Sequence, residues 1–159
     1  PLFAHLEAWQ WRPDLIWFNN LNVIRTSSFY VQQLFSHYKG TEALKLTIDG
    51  MPVTGKEKQN GLYASAVWDE QHKRYIIKVV NTSGKNQTIK LNFKKKALFG
   101  DFTNATKITL AATDKHLENS ISQPNAIAPK TESICLQENS FQIIESQANT
   151  FQTYIFNVK

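Results

Sequence analysis

One short stretch limits what this chain can fold into: an apolar run that ends in two amides and precedes a helix-forming segment. Leu15-Ile16-Trp17-Phe18 is continuously apolar, and Asn19 and Asn20 follow it directly. Such a run predicts a β-strand, over Asp14–Asn19, that is buried on both faces as in a parallel sheet. With the following helix it makes one βα unit. Because one βα unit cannot bury its own strand, the stretch predicts neighbours that the rest of the chain does not obviously supply.

The segment from Thr26 to Gly40 has the pattern of an amphipathic helix. Thr26 or Ser27 can accept hydrogen bonds from the free N–H groups at its start. Gly40 stands where a left-handed residue commonly follows a helix. The spacing i, i+3, i+4, i+7 predicts one apolar stripe, formed by Val31, Leu34, Phe35 and Tyr38.

The residues before the strand also suggest a helix. Leu2, Leu6 and Trp9 recur at helical spacing and predict its last turns, which Pro13 would stop. The chain begins at Pro1, inside apparent structure, with neither an initiator methionine nor a signal peptide. We therefore expect it to be part of a longer polypeptide.

After Gly40 the apolar residues alternate with a period of two, which is typical of antiparallel strands. The predicted strands are Ala43–Ile48, Gly61–Asp69, Arg74–Asn81, Gln87–Phe93, Thr106–Ala111, Glu132–Leu136, Ser140–Ile144 and Thr150–Val158. Strands without helices favour an antiparallel, jelly-roll-like β-sandwich. The long irregular segment Asp114–Lys130 would cross its surface or join its sheets. We expect two domains, a terminal βα segment over 1–41 and a β-sandwich over 42–159.

Composition excludes several classes of function. The formal net charge of +5 comes from dispersed lysines, so a solvated surface is favoured over a nucleic-acid site. The histidines are widely spaced and predict no metal site, and no motif predicts a cofactor. Cys135 lies in an apolar run that predicts a buried strand. No apolar run approaches the length that spans a bilayer, so we expect no membrane partner.

Few residues qualify as functional candidates. The carboxylates Glu7, Asp14, Asp69 and Glu70 lack a motif, so capping or surface roles are favoured. Trp9, Trp11 and Trp17 form either a sugar-stacking platform or core aromatics.

Three amides form a second candidate group. Gln32 lies off the helix stripe near the helix start, so we expect it at the same end of the βα unit as Asn19 and Asn20. In barrel enzymes that end carries the active site, and amides there can bind sugar hydroxyls. The alternative is that these amides cap turns.

Several segments together point to a known family. Before the boundary they are Trp11–Asn20, Thr26–Ser36 and Lys39-Gly40. Beyond the boundary they are Leu62–Ala66, Lys78–Ser83, Leu117–Ser120, Gln123-Pro124 and Ala128-Pro129. These pieces touch the whole chain, which resembles the closing segment of family 51 α-L-arabinofuranosidases, in which a catalytic (β/α)8 barrel ends and a β-sandwich begins.

The resemblance implies a parent glycoside hydrolase that removes terminal arabinofuranosyl units from plant-wall polysaccharides with retention of configuration. Retention requires two carboxyl groups about 5 Å apart, and the family carries both glutamates on earlier barrel strands. This chain would therefore hold no catalytic residue and be inactive alone. Gln32 matches the family's substrate-contacting glutamine, while Asn19 and Asn20 are weaker candidates. The family usually has Gly-Thr-Pro where this chain has Arg25-Thr26-Ser27.

The partners implied are the missing barrel of the same polypeptide and, in the full enzyme, an arabinose-containing polysaccharide. A polysaccharide-degrading parent favours a secreted or periplasmic location, and an oligomer stays open. One alternative is a carbohydrate-binding module with Trp68, Tyr63 and Tyr75 as its stacking face. Another, motivated only by charge, is a nucleic-acid-binding β domain.

Overall fold

The computed structural model describes residues 2–7, 14–53, 60–93, 102–114, 116–137 and 141–159. Within those ranges the chain forms one helix, α1 (Ser27–His37), and thirteen short strands. The strands are β1 (Phe3–His5), β2 (Ile16–Phe18), β3 (Val23–Arg25), β4 (Glu42–Leu44), β5 (Thr47–Ile48), β6 (Met51–Pro52), β7 (Leu62–Asp69), β8 (Arg74–Asn81), β9 (Gln87–Asn92), β10 (Phe102–Ala111), β11 (Lys130–Ile134), β12 (Phe141–Ser146) and β13 (Thr150–Val158). No described helix is long and apolar enough to cross a membrane.

The chain forms two compact units. The first combines Pro1–His37 with Leu110–Pro129, and the second combines Tyr38–Thr109 with Lys130–Lys159. The irregular segment predicted from its prolines thus belongs to the same unit as β1, β2, β3 and α1. The domain division at residues 41 and 42 stays a prediction.

The first unit contains a three-stranded sheet in the order β1-β2-β3. β1 pairs with β2 in parallel, with Ala4 opposite Trp17, and β3 pairs with β2 antiparallel. The helix predicted to run up to Trp9 is wrong over Phe3–His5, because the backbone there is extended and paired with β2. The remainder of that prediction, from Ala8 to Trp9, lies outside the described residues.

The strand prediction for Asp14–Asn19 is confirmed in place but wrong about burial. Ile16 is buried, whereas 38% of Phe18 is exposed. The reason is that Ile16 and Phe18 lie on the same face of the sheet as Phe3 and Val23, which are also exposed. The other face, which carries Ala4 and Ile24, is buried.

The helix begins and ends close to its predicted limits. Phe29 donates its backbone N–H to Oγ1 of Thr26 at 3.2 Å, which confirms the predicted cap. The predicted stripe is wrong in part: Leu34 is buried, but 46% of Phe35 is exposed. Tyr30, one turn before Leu34, is the second buried residue of the helix.

The segment after the helix is anchored to the second unit. Gly40 has φ +67°, which confirms the left-handed conformation. Thr41 donates its backbone N–H to the carbonyl of Trp68 at 2.7 Å. The buried Lys78 donates through Nζ to the carbonyl of Tyr38, and its desolvation lowers the pKa of this amine. Residues 38–41 therefore follow the edge of the second unit's sheet closely.

Among the described residues, the second unit contains three antiparallel sheets, two of which share one core. One of these two has six strands in the order β11-β10-β13-β8-β7-β4, and the other pairs β12 with β9. The third sheet pairs β5 with β6. The buried core residues from the two sheets are Leu62, Ala66, Ile77, Val79, Ala105, Ile144, Tyr154 and Phe156. Each of the eight predicted strands corresponds to at least one observed strand, although β10 begins at Phe102 and the first splits into β4 and β5.

Asn81 ties the loop after β8 to the turn before β13. Its side chain is 1% exposed. Nδ2 donates to the carbonyls of Lys85, Ser146 and Gln147 at 2.9–3.1 Å. Oδ1 accepts from the backbone N–H of Ser83 at 3.0 Å and also from two side chains, those of Ser83 and Gln87. One buried amide therefore joins backbone carbonyls from two separate segments of the chain.

Cys135 corrects a prediction. It follows the end of β11 and is exposed, rather than buried in a strand. The apolar run that suggested burial ends at the edge of the six-stranded sheet, where β11 has only β10 as a neighbour. An edge strand leaves more of its side chains in water than a central one does.

Candidate functional site

The candidate site lies on the open face of the first unit's sheet. We define the open face by the residues that the register places together: Phe3, His5, Ile16, Phe18, Val23 and Arg25. A cavity of about 330 Å³ lies on it, lined by Phe3, Ile16, Phe18, Asn19 and Val23. The cavity is open to solvent, and Asn19 is the polar residue among its apolar walls.

Asn19 lies at the rim of this cavity and shapes the turn between β2 and β3. Its Oδ1 accepts hydrogen bonds from the backbone N–H groups of Leu21 and Asn22, at 3.0 and 2.7 Å. This is the turn-capping role held as the alternative. Asn20, in the same turn, is exposed. Sugar binding by either residue stays a prediction.

Gln32 is exposed on α1, but the reasoning that placed the helix start beside Asn19 is wrong. Thr26, directly before the helix, donates its backbone N–H to the carbonyl of Leu15 at 3.0 Å. Leu15 precedes β2, whereas Asn19 follows it. β3 reverses the chain direction between them, so the helix starts at the opposite end of β2. Gln32 as a binding residue stays a prediction.

The tryptophan platform can be assessed only at Trp17. This side chain is half-buried and lies on the face opposite the open face, beside Ala4 and Ile24. That position suits the core alternative for Trp17. Trp9 and Trp11 lie outside the described residues.

His5 is a candidate that the sequence did not single out, since no motif surrounds it. The parallel register places His5 directly opposite Phe18, one residue before Asn19. The two rings meet edge to face with centroids 5.7 Å apart. Only the pairing of β1 with β2 reveals this position.

Two carboxylates are more buried than the sequence predicted. Asp14 is 3% exposed and Asp69 is 6% exposed. Burial alone would raise the pKa of Asp69, but hydrogen bonds from Arg74 and His72 outweigh it and hold this pKa below its ordinary value. Arg74 donates through Nε to Oδ2 at 2.9 Å, and His72 Nδ1 lies 2.8 Å from the same atom. Asp69 is therefore a buried, hydrogen-bonded residue of the β7–β8 hairpin and not a surface charge.

Replacing Asp69 with asparagine should destabilise the chain by about 2 kcal/mol at neutral pH, because a charge-assisted bond to Arg74 is lost. A carboxyl whose folded pKa is lowered stabilises the fold above its unfolded pKa and loses that contribution as pH falls through the folded pKa. The gap between native chain and variant, measured by urea unfolding, should therefore close at acidic pH. Exposed Glu118→Gln is the control. A gap that does not narrow as the pH falls below the ordinary pKa of an aspartate carboxyl would contradict this role.

Glu7 and Glu70 are exposed, as predicted. Hydrogen bonds from Lys73 and then Trp68 lower the pKa of Glu70. Within this hairpin Arg74 donates to Asp69, while Lys73 and the indole of Trp68 donate to Glu70. Among the described residues, no group of histidine, cysteine and carboxylate side chains could hold a metal ion.

The aromatic residues of the carbohydrate-binding alternative do not share a face. Trp68 lies opposite Tyr75, and their ring centroids are 4.6 Å apart. Tyr75 also packs against Phe93 and Phe102. Tyr63 is an odd number of residues from Trp68 along one regular strand, so it points to the other side of the sheet. The predicted stacking face of three rings is therefore wrong.

The fold and the site together define a β-rich domain with a small apolar cavity. The family described as "Alpha-L-arabinofuranosidase C-terminal domain" matches residues 1–145. α-L-Arabinofuranosidase 2 of Arabidopsis thaliana is 29% identical over 156 residues, which cover 97% of this chain and 22% of that protein. α-L-Arabinofuranosidase 1 of the same plant is 28% identical, over 91% of this chain and 21% of that protein. The chain thus spans about a fifth of the length of these curated relatives.

A solved structure shares the fold. The arabinose-bound MgGH51 α-L-arabinofuranosidase matches 100% of this chain and 23% of its own, with a TM-score of 0.75 and 22% identity. Since the family match covers nearly the whole chain, the protein belongs to the family of α-L-arabinofuranosidase C-terminal domains. This confirms the resemblance drawn from the residues.

Proposed function

We propose that this chain is the C-terminal portion of a family 51 α-L-arabinofuranosidase. In this proposal residues 1–41 are the last strand and helix of a (β/α)8 barrel, and residues 42–159 are a jelly-roll-like β-sandwich. The observation that carries it is the single family match over residues 1–145, which runs across both parts. The parallel pairing of β1 with β2 supports a barrel origin for this part, because barrel strands are parallel, although it supplies two such strands where the sequence predicted one.

The parent enzyme hydrolyses terminal arabinofuranosyl residues from polysaccharides such as arabinan or arabinoxylan, with retention. A retaining mechanism uses a nucleophile and an acid/base about 5 Å apart. Among the described carboxylates, Asp69 and Glu70 serve the β7–β8 hairpin. The family resemblance places the catalytic pair on the barrel of the same polypeptide. Asn19 and Asn20 contribute hydrogen bonds to sugar hydroxyls at the carboxyl end of β2. Gln32 is proposed as a substrate contact from the family resemblance alone, because its helix begins at the opposite end of β2.

The isolated chain should not release a chromophore from an aryl arabinofuranoside, whereas the full-length polypeptide that carries it should. The physical reason is that one carboxyl pair performs the reaction and this chain lacks it. Product analysis by NMR at early times should show retained configuration. Turnover by the isolated chain would contradict the proposal, and so would an inactive full-length polypeptide that is folded.

A further inference from the structure

We propose that His5 is a substrate-binding residue whose Nε2–H donates to a hydroxyl of the arabinofuranosyl unit. The inference rests on the proposed function and adds a residue to its site. It starts from the parallel pairing of β1 with β2: Leu6 donates its backbone N–H to the carbonyl of Phe18 at 2.9 Å, and His5 stands opposite Phe18. The carboxyl ends of the two strands therefore meet, and ligands bind outside that edge in parallel α/β folds.

Two contacts fix the orientation of the His5 ring. The Phe18 ring lies edge to face against it at 5.7 Å. The backbone N–H of Glu7 donates to Nδ1 at 3.2 Å. A neutral imidazole that accepts at Nδ1 carries its proton on Nε2. His5 therefore presents a donor, and the contact that orients the ring also sets the tautomer.

A second donor lies nearby along the same strand ends. Asn19 uses Oδ1 for its turn, which leaves the Nδ2 hydrogens for other partners. Among the described residues, neither Nδ2 of Asn19 nor Nε2 of His5 has a hydrogen-bond partner. Asn19 lines the same cavity as Phe18. The ring of His5 contacts the ring of Phe18.

This arrangement has the chemistry that a sugar ring requires. A furanose has apolar C–H edges and several hydroxyls that accept hydrogen bonds. The apolar wall of the cavity includes Phe3, Phe18 and Val23. Phe3 and Val23 are 56% and 54% exposed to solvent. Donors beside an apolar wall fix a ligand's orientation. A donor beside an apolar wall suits His5 to hydroxyl recognition.

The test uses the full-length polypeptide with His5→Phe, which keeps a ring against Phe18 and removes the donor. We expect kcat/KM on an aryl arabinofuranoside to fall about tenfold, chiefly through KM. A set of mono-deoxy arabinofuranosides sharpens the test. With the native enzyme, kcat/KM should be about tenfold lower for the deoxy sugar that lacks the hydroxyl bound by His5 than for the parent sugar. With His5→Phe the two sugars should have equal kcat/KM. His5→Gln, which restores an N–H donor, should recover part of the loss.

His37→Phe is the matched control, since His37 is exposed in the last turn of α1. Thermal melting of all variants monitors folding. A loss that is equal for every deoxy substrate would indicate a structural role and overturn the assignment, as would kinetics of His5→Phe that equal those of His37→Phe. An inactive but folded native polypeptide would instead reject the proposed function, and the assignment with it.

Discussion

Replacing Gly40 with alanine should destabilise the second unit by about 2 to 5 kcal/mol, the sum of a left-handed backbone penalty and an unrelieved clash. A Cβ at Gly40 would lie 2.6 Å from Cγ2 of Val67 and 2.8 Å from the carbonyl oxygen of Trp68. The carbonyl cannot move aside, because it accepts hydrogen bonds from Thr41. Urea unfolding followed by far-ultraviolet circular dichroism measures the loss.

Gly50→Ala separates the two causes. Gly50 also has a positive φ, of 79°, but a Cβ there would meet no atom within 4 Å. Only the backbone penalty applies, so the loss should be about 1 kcal/mol. If the two variants lost equal free energy of unfolding, the close approach of residues 38–41 to the sheet edge would contribute little to stability.

Asn81→Ala should destabilise the chain by about 3 kcal/mol, because it removes one buried side chain that makes six hydrogen bonds. The carbonyls of Lys85, Ser146 and Gln147 lose the donor Nδ2. On the other side, the backbone N–H of Ser83 loses its acceptor. Urea unfolding again measures the loss of stability. The rate of proteolysis within the β8–β9 loop reports local opening.

Asn92→Ala is the matched control. Asn92 ends the neighbouring strand β9 and is exposed, so its replacement should change the free energy of unfolding by less than about 0.5 kcal/mol. Asn81→Asp adds a second comparison, because a carboxylate would face three carbonyl oxygens at neutral pH. It should be less stable than Asn81→Ala there. If both Asn81 variants behaved like Asn92→Ala, the network would be dispensable.

The fold of the second unit was largely predictable because its sequence repeats a simple pattern. Ile89 and Leu91 alternate with Thr88, Lys90 and Asn92, and both pack against the core. The regular register of β9 with β12 maintains that alternation over the whole strand. Strand pairing order was not predictable, since nothing local specifies that β13 enters between β10 and β8.

The first unit was harder to predict because its strands are only three residues long. Three residues cannot establish a period of two, so Leu2 and Leu6 could equally suggest a helix. Partners distant in sequence decide the outcome: Phe3 pairs with Ile16. Gln32, Asn19 and Asn20 could be nominated from residue type and family resemblance. His5 could not, because its position depends on that parallel register.

Buried carboxylates were mispredicted for a related reason. Asp69 reads as a turn residue, yet Arg74 and His72 lie within five positions of it. Their hydrogen bonds compensate the loss of water, which composition alone cannot reveal. A search for cations across a hairpin turn would have found this pair.

The first unit draws on two stretches far apart in the chain, and this affects the order in which it can form on the ribosome. Asn119, in the later stretch, donates to the carbonyl of Arg25, which is 94 residues earlier. It also accepts from the backbone N–H of Ile127, a buried residue. At usual translation speeds the early stretch waits roughly 5 to 20 seconds for these contacts. During that interval the first unit lacks the stretch Leu110–Pro129 that completes it.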